Sequence, residues 1–161
     1  MKPAAISIDT ASAITNLSRR TWWRRIAEQG VMRAVNDDHG RTMLWWAEVE
    51  PHIVIPMTAE NHESLFLADT GSADAQNAIG QFFMRAAQHK AAFYWFQQAS
   101  KQGHPDAMHW LAYCYIGGNG VEKNDYLGLM WVAKAAALGH VTAQSDIKRR
   151  IRYALESHPS S

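Results

Sequence analysis

The chain has 161 residues, 47% of them hydrophobic and 19% charged, a balance that excludes a disordered polypeptide and fits one ordinary domain or two small ones. Its formal net charge is +1, so no overall field argues for nucleic acid and any such case must rest on local clustering. No apolar run is long enough to span a bilayer, the opening residues MKPAAISID lack the apolar core of a signal peptide, and the single cysteine, Cys114, cannot close an internal disulfide. Together these predict a cytoplasmic chain with no membrane partner.

In chain order, Ile6–Ile8 reads as a short strand, and Asp9 as the N-cap of a helix holding Ala11, Ala13 and Ile14. Asn16–Ser18 is a turn whose Ser18 caps a second helix, Arg19–Gln29, stopped by Gly30. Val31–Val35 is strand-like, Asn36–Gly40 is a turn, and Arg41–Trp45 is expected to pair back as a hairpin. Pro51 ends a short helical stretch, and His52–Pro56 makes a linker. Helix, tight turn, helix and hairpin constitute a winged helix-turn-helix over residues 1–57.

On the second helix Trp22 and Ile26 stand at i, i+4 and are expected to face the core. That leaves Arg19, Arg20, Trp23 and Arg24 exposed at the end of a recognition helix that approaches base edges, where arginine can pair with guanine and displace counterions. Arg33 and Arg41, in the wing, are candidates for the phosphate backbone or minor groove. The alternative is a solvated arginine face on a protein–protein module. The residues Ile8, Ala11, Ser18, Thr21, Trp22, Arg24, Ile26 and Gly30 follow a pattern that resembles the small winged-helix domains of the excisionase and MerR-type regulators. That resemblance implies double-stranded DNA as a partner.

The second half repeats itself. Ala68–Gln76, Ala99–Met108 and Ala135–Gln144 align, with Gly71, Gly103 and Gly139 spaced 32 and then 36 residues apart. Ala75, Ala107 and Ala143 keep that spacing, Trp95 and Trp131 each fall four residues before an alanine, and Phe83 corresponds to Tyr115. Ala107, Leu111 and Tyr115 have helical spacing, Gly117–Asp125 breaks the helix, and a second helix carries Trp131 and Ala135 toward Gly139 as its cap. One such hairpin cannot bury its apolar face alone, so the units must stack.

The glycine loop Gly118–Val121 with Tyr115, Trp131, Ala135, Ala136 and Gly139 resembles the Sel-one-like repeat, a relative of the tetratricopeptide repeat. The match is closest over Pro105–His140, and Ala73–His104 is a shorter copy without the glycine loop. Gly128 replaces an alanine usual in the family and should loosen its helix. The second domain is accordingly expected over 58–161, with Thr58–Thr70 as a preceding half-unit and Val141–Ser157 as a closing helix. The fold class is mainly α: a small winged helix-turn-helix followed by an α-solenoid of about two helical hairpins plus flanking helices.

Stacked hairpins place their first helices along a concave side. Counting from the reference alanines, the outward positions two and six further on give Asn77, Gln81, His109, Tyr113 and Arg149 as candidate partner-binding residues. No catalytic constellation emerges. His104 and His140 follow the repeat spacing without a cysteine pair, so no metal is expected; Cys114 reads as a buried inert thiol, and no phosphate loop or cofactor motif is present. Lys148, Arg149, Arg150 and Arg152 form a basic run on the last helix, read first as a solvated face. The function expected is a DNA-binding transcriptional regulator whose repeats bind a protein or mediate self-association. The alternative is an adaptor that binds only protein. Any homodimer is expected through the repeats or through Trp45 and Trp46.

Overall fold

Ser7 sets where the first helix begins. In the computed structural model, which describes residues 5–28 and 36–157, β1 (Ala5–Ser7) runs directly into α1 (Ile8–Thr15), and the Ser7 hydroxyl accepts from the Thr10 amide. Ser7 is therefore the N-cap expected at Asp9; Asp9 lies in the first turn, where its charge complements the helix dipole. The strand is one residue earlier than Ile6–Ile8, with Ile6 buried behind it and Ile8, Ala11 and Ile14 lining the inner face of α1.

Asn16, left-handed at φ 56°, turns the chain between α1 and α2 (Arg19–Glu28), and Ser18 caps α2 as expected by accepting from the Thr21 amide at 3.1 Å. Trp22 is fully buried and Ile26 half-buried, so the apolar stripe does face inward. The strand read over Val31–Val35 and the stop at Gly30 lie outside the described residues. The turn that follows is present: Asp37 exchanges backbone contacts with Gly40 and Arg41, and Gly40 has φ 73°. β2 (Met43–Trp45) then pairs antiparallel with β1, Ile6 opposite Leu44. A short α3 (Trp46–Val49) gives way to a 3-10 turn over Glu50–His52 that contains Pro51, and α4 (Ala59–Asp69) opens with a capping box between Thr58 and Asn61.

The chain divides into two compact units, Met1–Gly71 and Ser72–Ser161. α4 thus groups with the N-terminal unit, later than the sequence boundary at 57/58. The reason is polar. Asp69, at the last turn of α4, is buried and accepts from the Ser7 amide at 3.0 Å and from the Ser7 and Thr10 hydroxyls, both at 2.5 Å. Arg41 donates to the Asp69 carbonyl at 2.7 Å and lies 3.7 Å from its carboxylate. Trp46 packs edge-on against His62 and Phe66 of the same helix.

The second unit is a run of helices, α5 (Ala73–Arg85), α6 (His89–Lys101), α7 (Pro105–Gly117), α8 (Asp125–Ala137) and α9 (Val141–Ser157), with no strand among the described residues. Its joints repeat. After α6 and α8, Gly103 and Gly139 adopt φ 84° and 89°, and the amides of His104 and His140 reach back to the carbonyls of Ala99 and Ala135 at 3.3 and 3.0 Å. These are Schellman ends, which need the left-handed residue that glycine supplies. Each histidine then caps the next helix. His104 Nδ1 accepts from the Ala107 amide at 3.3 Å, and its Nε2 faces Asp74 at 3.1 Å. His140 does the same with the Ala143 amide at 3.1 Å and Asp106 at 3.2 Å. The paired spacing of the two histidines is a joint between successive hairpins.

Packing inside the hairpins is close. A Cβ on Gly80 would sit 2.6 Å from the Phe96 ring, and one on Gly128 would sit 2.5 Å from Ile116. Gly128 is therefore a seat for Ile116. Ala75, Ala107 and Ala143 are all buried, as are Trp95 and Phe83, whereas Trp131 and Tyr115 are half-buried. α9 carries Lys148 where α5 and α7 have Gly80 and Ala112 facing their second helices, and Arg152 where α7 has Ile116. That polar face suits a helix in contact with water.

Candidate functional site

Two surfaces carry the residues that the sequence singles out, one in each unit. On α2, Arg20, Trp23 and Arg24 are exposed on neighbouring turns, Trp23 to 40%. Arg20 and Arg24 make no ion pair among the described residues. Arg19 is also exposed but lies 3.1 Å from Asp9. Arg25, which the sequence did not single out, stacks over Trp22 at 5.6 Å and contacts His52. His52 is accordingly held below its ordinary pKa by burial and by the Arg25 charge.

Arg41 is differently placed. Its Nε bonds Asp37 at 2.6 Å while its Nη1 bonds the Asp69 carbonyl, so its donors point into its own unit. Arg33 lies outside the described residues. Asp37 is the reason the 36–40 turn carries acid: it accepts from the Arg41 amide and side chain and from the His39 amide. Desolvation opposes its charge, but those bonds and the Arg41 charge outweigh it and hold the carboxyl below its usual range. Trp45 and Trp46, the alternative homodimer contact, are half-buried, and the ring of Trp46 is taken up by α4, so the pair does not form an open aromatic surface.

In the second unit, a pocket of about 390 Å³ opens between the end of α5 and the middle of α7, lined by Met84, Arg85, His109, Trp110 and Tyr113. Its walls are fixed from behind. Trp110 stacks on Phe96 with the rings within 4° of parallel, Tyr113 meets Trp110 edge-on at 5.8 Å, and His109 stacks on His140 at 4.5 Å. Tyr113 remains 54% exposed.

Of the five partner-binding candidates, His109 and Tyr113 line this pocket. Arg149 is exposed and tied to Asp146 at 2.7 Å, and Asp146 also faces His109 at 3.6 Å, so one carboxylate links two of the candidates across α7 and α9. Gln81 is half-buried, one turn before Arg85. Asn77 is buried, with no hydrogen-bond partner for its Oδ1 among the described residues, so it does not face outward as position counting expects. The residues missed were Met84, Arg85 and Trp110. Arg85 follows Gln81 at i+4, so extending the outward stripe by one turn would have found it.

His140 is held below its ordinary pKa first by burial and then by His109, against the pull of Asp106 and Asp146. Cys114 has no exposed surface, and burial pushes its thiol up to about 12, which keeps it protonated and inert as a nucleophile. Among the described residues no group of three metal-ligating side chains converges, and no helix is long and apolar enough to cross a membrane.

The family model for the Sel1 repeat matches residues 73–104 and 105–140, the same two units as the hairpins α5–α6 and α7–α8. Among solved structures the chain is similar to a Sel1 repeat protein from Oxalobacter formigenes, at 20% sequence identity over 88% of this chain and 90% of that one, with a TM-score of 0.51. At that identity the likeness speaks to fold. Residues 73–140 thus carry two Sel1 repeats, set in a mainly helical chain.

Proposed function

We propose that this chain is a non-catalytic adaptor whose Sel1 repeats seat a protein partner along the first helices of the hairpins, α5, α7 and α9. The observation that carries the reading is the open pocket between α5 and α7, where Tyr113 stands exposed on a rigid aromatic wall. Exposed tyrosine and tryptophan on a rigid support are the side chains that concentrate binding energy, because little entropy is lost on contact. Affinity purification with the full chain, Tyr113→Ala and Arg149→Ala tests it. Partner recovery should drop for Tyr113→Ala with the melting temperature unchanged; equal recovery from all three would count against this face. The same surface serves self-association if the recovered partner is a second copy, which light scattering distinguishes.

A second reading adds double-stranded DNA as a partner of the N-terminal unit and makes the chain a cytoplasmic transcriptional regulator. It is favoured by the free arginines Arg20 and Arg24 on the outer face of α2, beyond the tight Asn16–Ser18 turn. Arg41, engaged by Asp37 and Asp69, is left out of the interface in this reading. Arg24→Ala should weaken binding to a selected duplex by about 1–3 kcal/mol. Gel-shift titration measures this, and an unselected duplex that binds as tightly as the selected one would remove the base-reading role.

A further inference from the structure

The pocket between α5 and α7 has a charge character that narrows its occupant. Its lining is a thioether, two large aromatic rings, an imidazole and one guanidinium, with no carboxylate among the five residues. The imidazole is already engaged, since His109 faces Asp146 at 3.6 Å and stacks on His140. Arg85 is exposed and makes no ion pair among the described residues. At the last turn of α5 it also lies beside carbonyls whose dipole favours a cation there. A site of this kind satisfies an apolar side chain within and an acid at its rim.

Resting on the adaptor reading above, we propose that this pocket binds a partner segment in which a bulky apolar residue sits beside an aspartate or glutamate. The apolar side chain enters between Met84, Trp110 and Tyr113, and the carboxylate pairs with Arg85. A pocket of about 390 Å³ is the size of one large side chain with room for its backbone, and falls within the range of small-ligand sites. Phe96 behind Trp110 keeps the wall in place when the pocket is empty, so binding need not order it first. The Arg85 pair contributes mainly to selection and to salt dependence, because the rim is wet.

The test is selection of a random heptapeptide phage library on the immobilised full chain, run in parallel on Arg85→Glu and Tyr113→Ala, with thermal melting of each variant. Both positions are exposed, so unchanged melting is expected. The wild type should enrich peptides with an apolar residue flanked by acid, and Arg85→Glu should exchange that acid for lysine or arginine. Tyr113→Ala should reduce binding of the enriched peptides by at least tenfold. Enriched peptides indifferent to both variants would overturn the pocket and leave the adaptor reading standing. An apolar consensus unchanged by Arg85→Glu would remove the acidic requirement. No enrichment on any chain would count against both.

Discussion

The two units are held together by opposite means. The repeat unit is assembled from short-range, periodic features: small residues where helices touch, left-handed glycines where α6 and α8 end, and the histidines that cap α7 and α9 after them. The N-terminal unit is closed by a single buried carboxylate, Asp69, reached from Ser7, Thr10 and Arg41, the first of them 62 residues away. In the first case the sequence repeats its instructions and each contact is local. In the second, one polar knot brings together parts of the chain that share no pattern. Loss of a repeat contact should therefore be felt as steric misfit, and loss of the knot as unsatisfied polar groups.

The largest effect is expected in the repeat unit, at Gly120. Its φ is 77°, and a Cβ there would fall 2.2 Å from the His89 carbonyl oxygen, against backbone that cannot step aside. Gly120→Ala combines the left-handed penalty with overpacking and should cost about 3–4 kcal/mol. Urea titration followed by tryptophan fluorescence measures it, and a loss below about 1 kcal/mol would mean that the loop is not pinned to the start of α6.

Next is the knot itself. Asp69→Ala leaves the Ser7 and Thr10 hydroxyls and the Ser7 amide without their acceptor and the Arg41 charge without its closest buried partner. The expected cost is about 2–3 kcal/mol, with Thr10→Val costing less because it removes one bond and fills the space. Hydrogen exchange at α1 and β1 should rise in Asp69→Ala while exchange in α7 stays unchanged. Uniform protection across both regions would contradict the proposed role of Asp69.

Legibility follows the same division. The hairpins and their limits at 73–104 and 105–140 were readable because glycine, alanine and tryptophan recur in register; that register predicts equal burial of Trp95 and Trp131, and Trp95 is buried while Trp131 is only half-buried. The turn at Asn36–Gly40 and the inward face of Trp22 were readable from local chemistry. Asp69 was not, because in the alignment of repeats it is merely a polar residue two before a glycine, and nothing local says that Ser7 will reach it. The same blindness assigned Arg41 a free side chain and Asp9 a cap. On the candidate site, counting outward positions selected His109 and Tyr113, which line the pocket, but also Asn77, which is buried at the α5 position equivalent to half-buried His109.

A smaller, pH-dependent effect belongs to the last joint. His140 has its folded pKa depressed below 6.5 by burial and by His109, and its Nδ1 must stay unprotonated to accept from Ala143. The unfolded chain then takes up the proton first. Its contribution to stability is fully present above about 6.5 and is lost as pH falls through the lower folded value. Asp106 and Asp146 face the same ring pair and oppose the loss. Melting scans from pH 7.5 to 5 should show a falling melting temperature whose slope is reduced in His140→Asn, which keeps a capping oxygen without titrating. An identical slope in that variant would place the pH response elsewhere, His52 being the other histidine with a lowered pKa among the described residues.

The smallest effect is a gain, and it tests whether the first hairpin obeys the rule of the others. α5 ends as α6 and α8 do: the Ala87 amide bonds the Met84 carbonyl at 3.1 Å and the Gln88 amide bonds the Phe83 carbonyl at 2.9 Å. That is the Schellman geometry, and its left-handed position holds Ala87, at φ 56°, in place of the glycine used at 103 and 139. The tight turn explains why this unit is shorter and lacks the glycine loop, since α6 starts at His89, directly after it. A Cβ in the left-handed region costs roughly 1–2 kcal/mol, and glycine gives back part of that in unfolded-chain entropy. Ala87→Gly should therefore stabilise the chain by about 0.5–1 kcal/mol, raising its melting temperature by a few degrees. Because Ala87 is exposed, the substitution removes little buried surface that could mask the gain. A destabilised Ala87→Gly would mean that the methyl group contributes contacts outweighing its backbone strain, and that the α5–α6 turn is built on a different principle from the joints at Gly103 and Gly139.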